Sequence, residues 1–200
     1  MTVSLRRLEE PALKVLFSGA RTANSFAPTE VADHELAAIW ELAKWPPTAA
    51  NVQPLRVVFV RTADGRTRLL SHMNEGNTAK TESAPAVAIL AVDTDYHDHI
   101  PTVLPFRPEL REVFAEDDAM RRDVGSFNSA LQAGYFVLAV RASGLAAGPM
   151  AGFDKTTLDE DFFPDGSWKS ILVVNIGHPG EDPWFGRLPR LDSTQTVGWA

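Results

Sequence analysis

The sequence predicts an α/β fold, a central sheet with helices on both faces, and three segments carry that prediction. Ala86 to Val92 (AVAILAV) and Ile171 to Ile176 (ILVVNI) are continuous apolar runs, the pattern of strands covered on two faces. Between them, Phe127 to Leu145 sets Leu131, Tyr135, Val137, Leu138 and Val140 around nearly the whole circumference of a helix that Gly144 ends. A helix apolar all round is buried, either at the centre of a monomer's core or against a second subunit.

The other elements follow from local pattern. After Asp33, the residues Leu36, Ile39, Trp40 and Ala43 recur at helical spacing, with Asp33 placed to cap the first turn and Pro46 and Pro47 to stop it. Arg56 to Arg61 (RVVFVR) is short, β-branched and aromatic, hence a strand, and Asp64 and Gly65 behind it read as a turn. Asp93 to Asp123 is acidic, proline-bearing and weakly periodic, so it reads as an excursion from the core, suited to a lid or substrate loop. Neither a linker nor a repeat divides the chain, and residues 1–200 are expected to form one domain.

Charge and composition narrow the partners. A net charge of −7 and a pI near 5.2 offer no positive field to a polyphosphate backbone, which argues against nucleic acid and anionic membrane and leaves small molecules or other protein chains. The absence of cysteine excludes a disulfide, a thiolate nucleophile and a Cys-ligated metal or iron–sulfur centre. The N-terminal MTVSLRRLEEPALKVLF breaks any apolar core with two glutamates and a proline, so it does not read as an export signal, and the cytoplasm is the expected location. The longest uncharged stretch, Ser126 to Val140, holds 15 residues including Asn128, Ser129 and Gln132, too short and too polar for a membrane span.

No G-x-S-x-G elbow, P-loop, G-x-G-x-x-G or H-E-x-x-H occurs, which removes the best support for hydrolase and dinucleotide-fold readings. Asp93, Asp95, His97, Asp98 and His99 could suggest a metal site, but consecutive ligands in a polar stretch read more simply as a solvated loop, and no metal is expected. Four separated segments suit a flat, phosphorylated cofactor better. In Ala20 to Phe26, Arg21 offers a planar fork for phosphate oxygens, Thr22 a hydroxyl and Asn24 an amide. Pro46 to Pro54 presents Thr48, Asn51 and Gln53 among small residues, where amides supply the donor and acceptor pairs that a pyrimidine-like edge requires. Asn77 and Lys80 share a face if their segment is helical. Gly148 to Asp154 reads as a glycine-bounded loop, and Phe185 to Arg190 (FGRLPR) as a turn.

Taken together, from about Arg21 to Arg190, these segments resemble the nitroreductase family of FMN enzymes in order, spacing and chemistry, with Pro-Thr-x-x-Asn-x-Gln-Pro the most specific piece. The resemblance implies an α+β nitroreductase-like fold with a central mixed sheet, an intertwined homodimer, FMN as cofactor and NAD(P)H as co-substrate. Arg21, Thr22, Asn24 and Arg187 would hold the ribityl phosphate, while Asn77 and Lys80 would meet the ring edge, Lys80 as the catalytic charge that stabilises reduced flavin. Thr48, Asn51 and Gln53, with Pro47 and Ala49 beside them, would reach the flavin from the opposite subunit. Pro149, Met150, Ala151 and Gly152 would line its centre, with backbone amides near Ala151 and Gly152 close to N5. Many family members carry glutamate at the position of Ala151 and lysine at that of Phe185, so a less acidic pocket and a looser flavin are expected here. Within the family the Arg-Thr-x-Asn start, the Gly-Asn-x-x-Lys-Thr segment and the Phe-x-Arg-Leu-Pro-Arg ending look closest to the malonic semialdehyde reductase branch. Nitroaromatics and quinones are alternative acceptors, and a non-catalytic flavin-binding dimer is the alternative of a different class.

Overall fold

The computed structural model describes residues 6–200; Met1 to Leu5, which open the segment read above as no export signal, lie outside the described residues. α1 (Glu10–Leu13) runs into a π-helical turn, Lys14–Ser18. α2 (Asp33–Ala43) buries Leu36, Ile39 and Ala43, the stripe its spacing predicts, and it ends ahead of Pro46. Its cap differs from expectation: Ala32 occupies the capping position, and the Glu35 carboxylate reaches back to accept the Ala32 N–H at 2.8 Å. Asp33 lies in the first turn instead and pairs with Arg61 at 3.5 Å. β1 (Leu55–Val60) follows, then α3 (Ala63–His72). The expected turn at Asp64 and Gly65 is the first turn of α3, because the Thr62 hydroxyl accepts the Gly65 N–H at 3.0 Å and caps it. α4 (Glu75–Ser83) leads into β2 (Ala86–Asp93).

β3 (Ala146–Met150) and β4 (Trp168–Gly177) complete one sheet of order β1-β2-β4-β3. The helix-flanked architecture stands as predicted, with one refinement: the sheet is not mixed, since all three pairings are antiparallel. Burial on both faces explains the uninterrupted apolar runs. Along β2, Ala86, Ala88 and Leu90 pack into a cluster with Leu36 and Phe136, while Val87, Ile89 and Ala91 alternate into a second cluster with Leu69 and Leu158. β3 corrects the reading of Gly148 to Asp154 as a loop: Gly148, Pro149 and Met150 are strand, and Pro149 is tolerated because β3 lies at the sheet edge.

The excursion after β2 is also more ordered than its sequence suggests. A 3-10 turn at Tyr96–His99, α5 (Ile100–Val103) and α6 (Leu110–Glu116) bring Tyr96, Ile100, Leu104 and Phe114 together with Val52 in a small core of their own. α7 (Asp118–Ala142) begins at Asp118 rather than Phe127, because the Asp117 carboxylate accepts the Met120 N–H at 2.9 Å. Gly125 is where Tyr96 lies on this helix, and a Cβ there would stand 2.9 Å from the ring. Only one stripe of α7 is buried within the protomer, including Asn128, Gln132, Phe136 and Val140. Phe127 is 69% and Leu131 36% exposed on its other side, so the all-round burial expected from sequence is half met by this chain. Gly144, at φ +80°, turns the chain out of the helix. α8 (Lys155–Phe162), capped by Asp154, packs below β4, and α9 (Ser193–Thr196) lies in the exposed C-terminal segment. No helix among the described residues is long and apolar enough to cross a membrane.

Candidate functional site

The segments at the two ends of the chain, distant in sequence, are laced together. The Ala23 N–H donates to the Ala147 carbonyl of β3 at 3.1 Å, Asn24 N–H to Pro183 at 2.9 Å, and the Ser25 hydroxyl to Glu181 at 2.6 Å. This places Arg21 beside the FGRLPR segment: an Arg21 Nη donates to the Phe185 carbonyl at 3.3 Å, and an Arg187 Nη to the Ala20 carbonyl at 3.2 Å. Between them opens a pocket of about 220 Å³ lined by Arg21, Thr22, Asn24 and Arg187, the four residues expected to act together, and by Arg190, which the sequence reading left unassigned. Three arginines lining one small cavity in an acidic protein suit an anionic group. Arg141, at the end of α7, fixes the rim by donating to the Arg21 carbonyl at 2.5 Å; burial lowers its pKa, yet a guanidinium remains charged.

A second group forms where β3 ends. Asn77, in α4, donates through Nδ2 to the Gly152 carbonyl at 2.8 Å, and the Asn74 N–H donates to the same carbonyl at 3.1 Å. Gly152 has no room for a side chain, since a Cβ would fall 2.5 Å from Asn77 Nδ2. The helical spacing predicted for Asn77 and Lys80 holds, so both project from one face of α4, and both are half-buried. Met150 is buried and Ala151 exposed.

The third group stands apart. Thr48, Ala49, Asn51 and Gln53 lie on a loop containing a 3-10 turn, Ala49–Asn51, in which Ala50 (φ 50°), Asn51 (φ 52°) and Gln53 (φ 44°) all take left-handed backbone conformations. Such conformations cost about 1–3 kcal/mol each for residues other than glycine and persist where the surroundings impose them. The Asn51 side chain donates to the Val103 carbonyl at 2.7 Å, and the Asn128 side chain of α7 accepts the Ala49 N–H at 2.8 Å. Asn128 and Arg141 are about 20 Å apart along α7 at about 1.5 Å per residue. Within one protomer, therefore, this loop meets the middle of α7, well away from the Arg21 pocket at the helix's C-terminal end.

Asp93 to His99 is not a solvated loop. Asp93, Tyr96 and His97 are buried; Arg56 donates to Asp93 at 2.5 Å, and the Tyr96 hydroxyl donates to the Arg121 carbonyl at 3.0 Å. Burial pushes the Tyr96 phenol up to about 12. Asp98 pairs with Arg111 at 2.7 Å, so these carboxylates serve ion pairs rather than converging on a point. No cluster of metal-ligating side chains occurs among the described residues.

A sequence profile of the nitroreductase family matches residues 18–178. A Streptomyces coelicolor protein, assigned provisionally as an NADH dehydrogenase/NAD(P)H nitroreductase, is 58% identical over the full length of both chains. A protein of Leptothrix cholodnii with the same assignment is 47% identical over 92% of this chain and 94% of its own. Among solved structures, a nitroreductase-like protein of Exiguobacterium sibiricum in complex with FMN superposes with a TM-score of 0.85 at 17% identity, covering 97% of this chain and 99% of its own. An NAD(P)H:FMN oxidoreductase candidate from Staphylococcus epidermidis gives 0.81 at 18% identity and 98% of both chains. At those identities the likeness of the structures speaks for the fold.

Proposed function

We propose, from the premise that the chain belongs to the nitroreductase family, that it is an FMN-dependent NAD(P)H oxidoreductase acting as a homodimer on a small organic acceptor. The observation that carries this reading is the convergence of Arg21, Thr22, Asn24 and Arg187 on one small pocket from opposite ends of the sequence. The residues present fit the cofactor: the guanidiniums of Arg21 and Arg187 match a terminal phosphate, and the exposed Ala151 at the end of β3 sets a small residue beside Asn77 and Lys80, where a flat ring would lie. When bound, FMN supplies the redox chemistry, accepting hydride from NAD(P)H and passing it to the acceptor.

The chain's own contribution is binding, orientation and charge. Arg21 and Arg187, with Arg190 on the same rim, would neutralise the phosphate, and Thr22 and Asn24 would hydrogen-bond beside it. Asn77 and Lys80 would face the pyrimidine edge from α4, and the Lys80 ammonium would favour negative charge developing there. Pro149, Met150, Ala151 and Gly152 would support the ring centre. Pro47, Thr48, Ala49, Asn51 and Gln53 would come from the partner subunit, a reading supported by the separation of about 20 Å along α7 between Asn128, which holds their loop, and Arg141 at the Arg21 pocket.

For the acceptor, malonic semialdehyde, reduced to 3-hydroxypropanoate, rests on the sequence segments at Arg21, Asn77 and Phe185; nitro compounds rest on the names of the relatives. Comparing turnover of the two classes by the purified protein decides between them. The absorption spectrum with and without added FMN tests the core of the proposal: a yellow species that NAD(P)H bleaches supports it, and a colourless protein with no FMN affinity rejects it. Ala151 and Phe185 leave fewer charges near the ring and phosphate, which supports the alternative of a flavin-binding module without turnover. Tight FMN binding with no NAD(P)H oxidation would favour that alternative.

A further inference from the structure

Two buried amides on α7 face the segment that contains Thr48 to Gln53. Asn128 and Gln132 are each 1% exposed, one helical turn apart on the same face of the helix. Buried side-chain amides are costly unless bonded, and both are bonded to one target. Asn128 Oδ1 accepts the Ala49 N–H at 2.8 Å, and Gln132 Oε1 accepts the Leu55 N–H at 3.0 Å. Those two N–H groups bracket the strained segment that contains Ala50, Asn51 and Gln53. Asn128 Nδ2 in turn donates to the Val124 carbonyl at 2.8 Å, which fixes the rotamer of the amide. A loop with three left-handed non-glycine residues holds one conformation where both of its ends are tied to something rigid, and here each end is tied to the same helix.

We infer that Asn128 and Gln132 are positioning residues that clamp the Thr48 to Gln53 loop in the conformation required for flavin binding, an inference that rests on the flavin-site reading of that loop. The flank of α7 next to this face, about 100° round the helix, carries the exposed Phe127 and Leu131. In the proposed dimer the helix that meets the partner is therefore the helix that presents this loop to the partner's cofactor. The clamp sets the loop's register relative to the interface, so Thr48, Asn51 and Gln53 arrive already oriented, and ordering them on binding costs little.

The test uses Asn128→Leu and Gln132→Met, which keep bulk and remove the acceptor. Amide hydrogen–deuterium exchange in the cofactor-free protein should accelerate about tenfold or more across residues 48–55 in each variant, with the β2 and β4 amides unchanged. FMN affinity, read by flavin fluorescence, should fall about tenfold, and the visible circular dichroism of the bound flavin should change. Unaltered exchange at residues 48–55 would overturn the clamp whatever happens to FMN. Faster exchange with unaltered FMN affinity and an unaltered flavin spectrum would show a purely structural tie and overturn the positioning role. Failure of the unsubstituted protein to bind FMN would reject the flavin reading itself and this role with it. Should Asn128→Leu fail to fold, Gln132→Met, nearly isosteric, carries the same comparison.

Discussion

Asn77 Nδ2 donates to the Gly152 carbonyl at 2.8 Å, and any Cβ on Gly152 would lie 2.5 Å from that same nitrogen. The hydrogen bond and the missing side chain are one arrangement: α4 approaches the end of β3 this closely because residue 152 has no side chain. Gly152→Ala should push Asn77 off the carbonyl and weaken FMN binding while the sheet still forms. Shortening Asn77 to alanine in the same chain removes the clash, so the double variant should bind FMN better than the sum of the single effects allows. Isothermal titration of the four proteins measures the coupling; additive losses would place the flavin away from this contact.

The proposed phosphate pocket gives a second test. Arg187→Ala should cost about 1.5–3 kcal/mol of FMN affinity, the range for a hydrogen bond to a charged partner. Arg190→Ala should cost measurably as well, since Arg190 lines the same pocket. FAD should bind more weakly than FMN, because Arg21 and Arg187 suit one terminal phosphate and no dinucleotide fingerprint accompanies them. Cofactor identified as FAD after heat release, or unchanged affinity in Arg187→Ala, would move the phosphate elsewhere.

How far these contacts were legible in the sequence depends on what each leaves behind in residue types. β2 and β4 were readable because double-sided burial demands apolar residues at every position, but an apolar run carries no sign of strand direction, and the all-antiparallel pairing emerged only from the register. β3 was hidden: AAGPM has the composition of a turn, and only its edge position makes Pro149 acceptable. The small core of Tyr96, Ile100, Leu104 and Phe114 is built from short turns interrupted by Pro101, Pro105 and Pro108, so no period accumulates. Arg21 and Arg187 could be paired by chemistry, whereas Arg190 and Arg141 join them through contacts that cross the whole chain. The left-handed residues of the 48–53 loop include no glycine to announce them, and Asn128 and Gln132 appear in the sequence only as polar breaks in an apolar helix.

Tyr96 offers a prediction free of any cofactor. Burial raises its phenol to about 12, against an unperturbed value of about 10. The neutral form is the one the fold favours, so this contribution to stability is fully present below about pH 10 and is lost as pH rises toward 12. Only two tyrosines occur, and a Tyr135→Phe variant leaves Tyr96 as the single phenol. Its absorbance at the phenolate band should titrate near pH 12, coincident with alkaline loosening of the Tyr96, Ile100 and Phe114 cluster. Titration near 10 in the folded protein would show that the ring is solvated.

The proposed dimer should depend on the uncovered side of α7. Phe127 and Leu131 are large apolar side chains left exposed on a helix whose other face is fully packed. Leu131→Glu should weaken dimerisation in light scattering, and FMN affinity should fall in parallel, because each flavin would lose the loop donated by the partner. An active, FMN-saturated monomer would reject the shared site.

The final prediction concerns turnover and separates an enzyme from a binding module. If the nicotinamide and the acceptor occupy the same flavin face in turn, initial rates at several acceptor concentrations should give parallel double-reciprocal lines, the mark of a ping-pong cycle. Lys80, half-buried and one turn beyond Asn77 on the same face of α4, is the residue proposed to act in the reductive half of that cycle. Lys80→Met keeps most of the side chain's length and apolar contact but removes its charge, so the midpoint potential should drop and stopped-flow reduction by NAD(P)H should slow, while FMN affinity changes less. The two measurements move together only if the charge acts on the reduced ring; a loss of packing alone would lower affinity and leave the potential where it was. A Lys80→Met protein with an unchanged potential and an unchanged reduction rate would place the ammonium away from the flavin and leave orientation by Asn77 and the Gly152 backbone as the chain's contribution to the step.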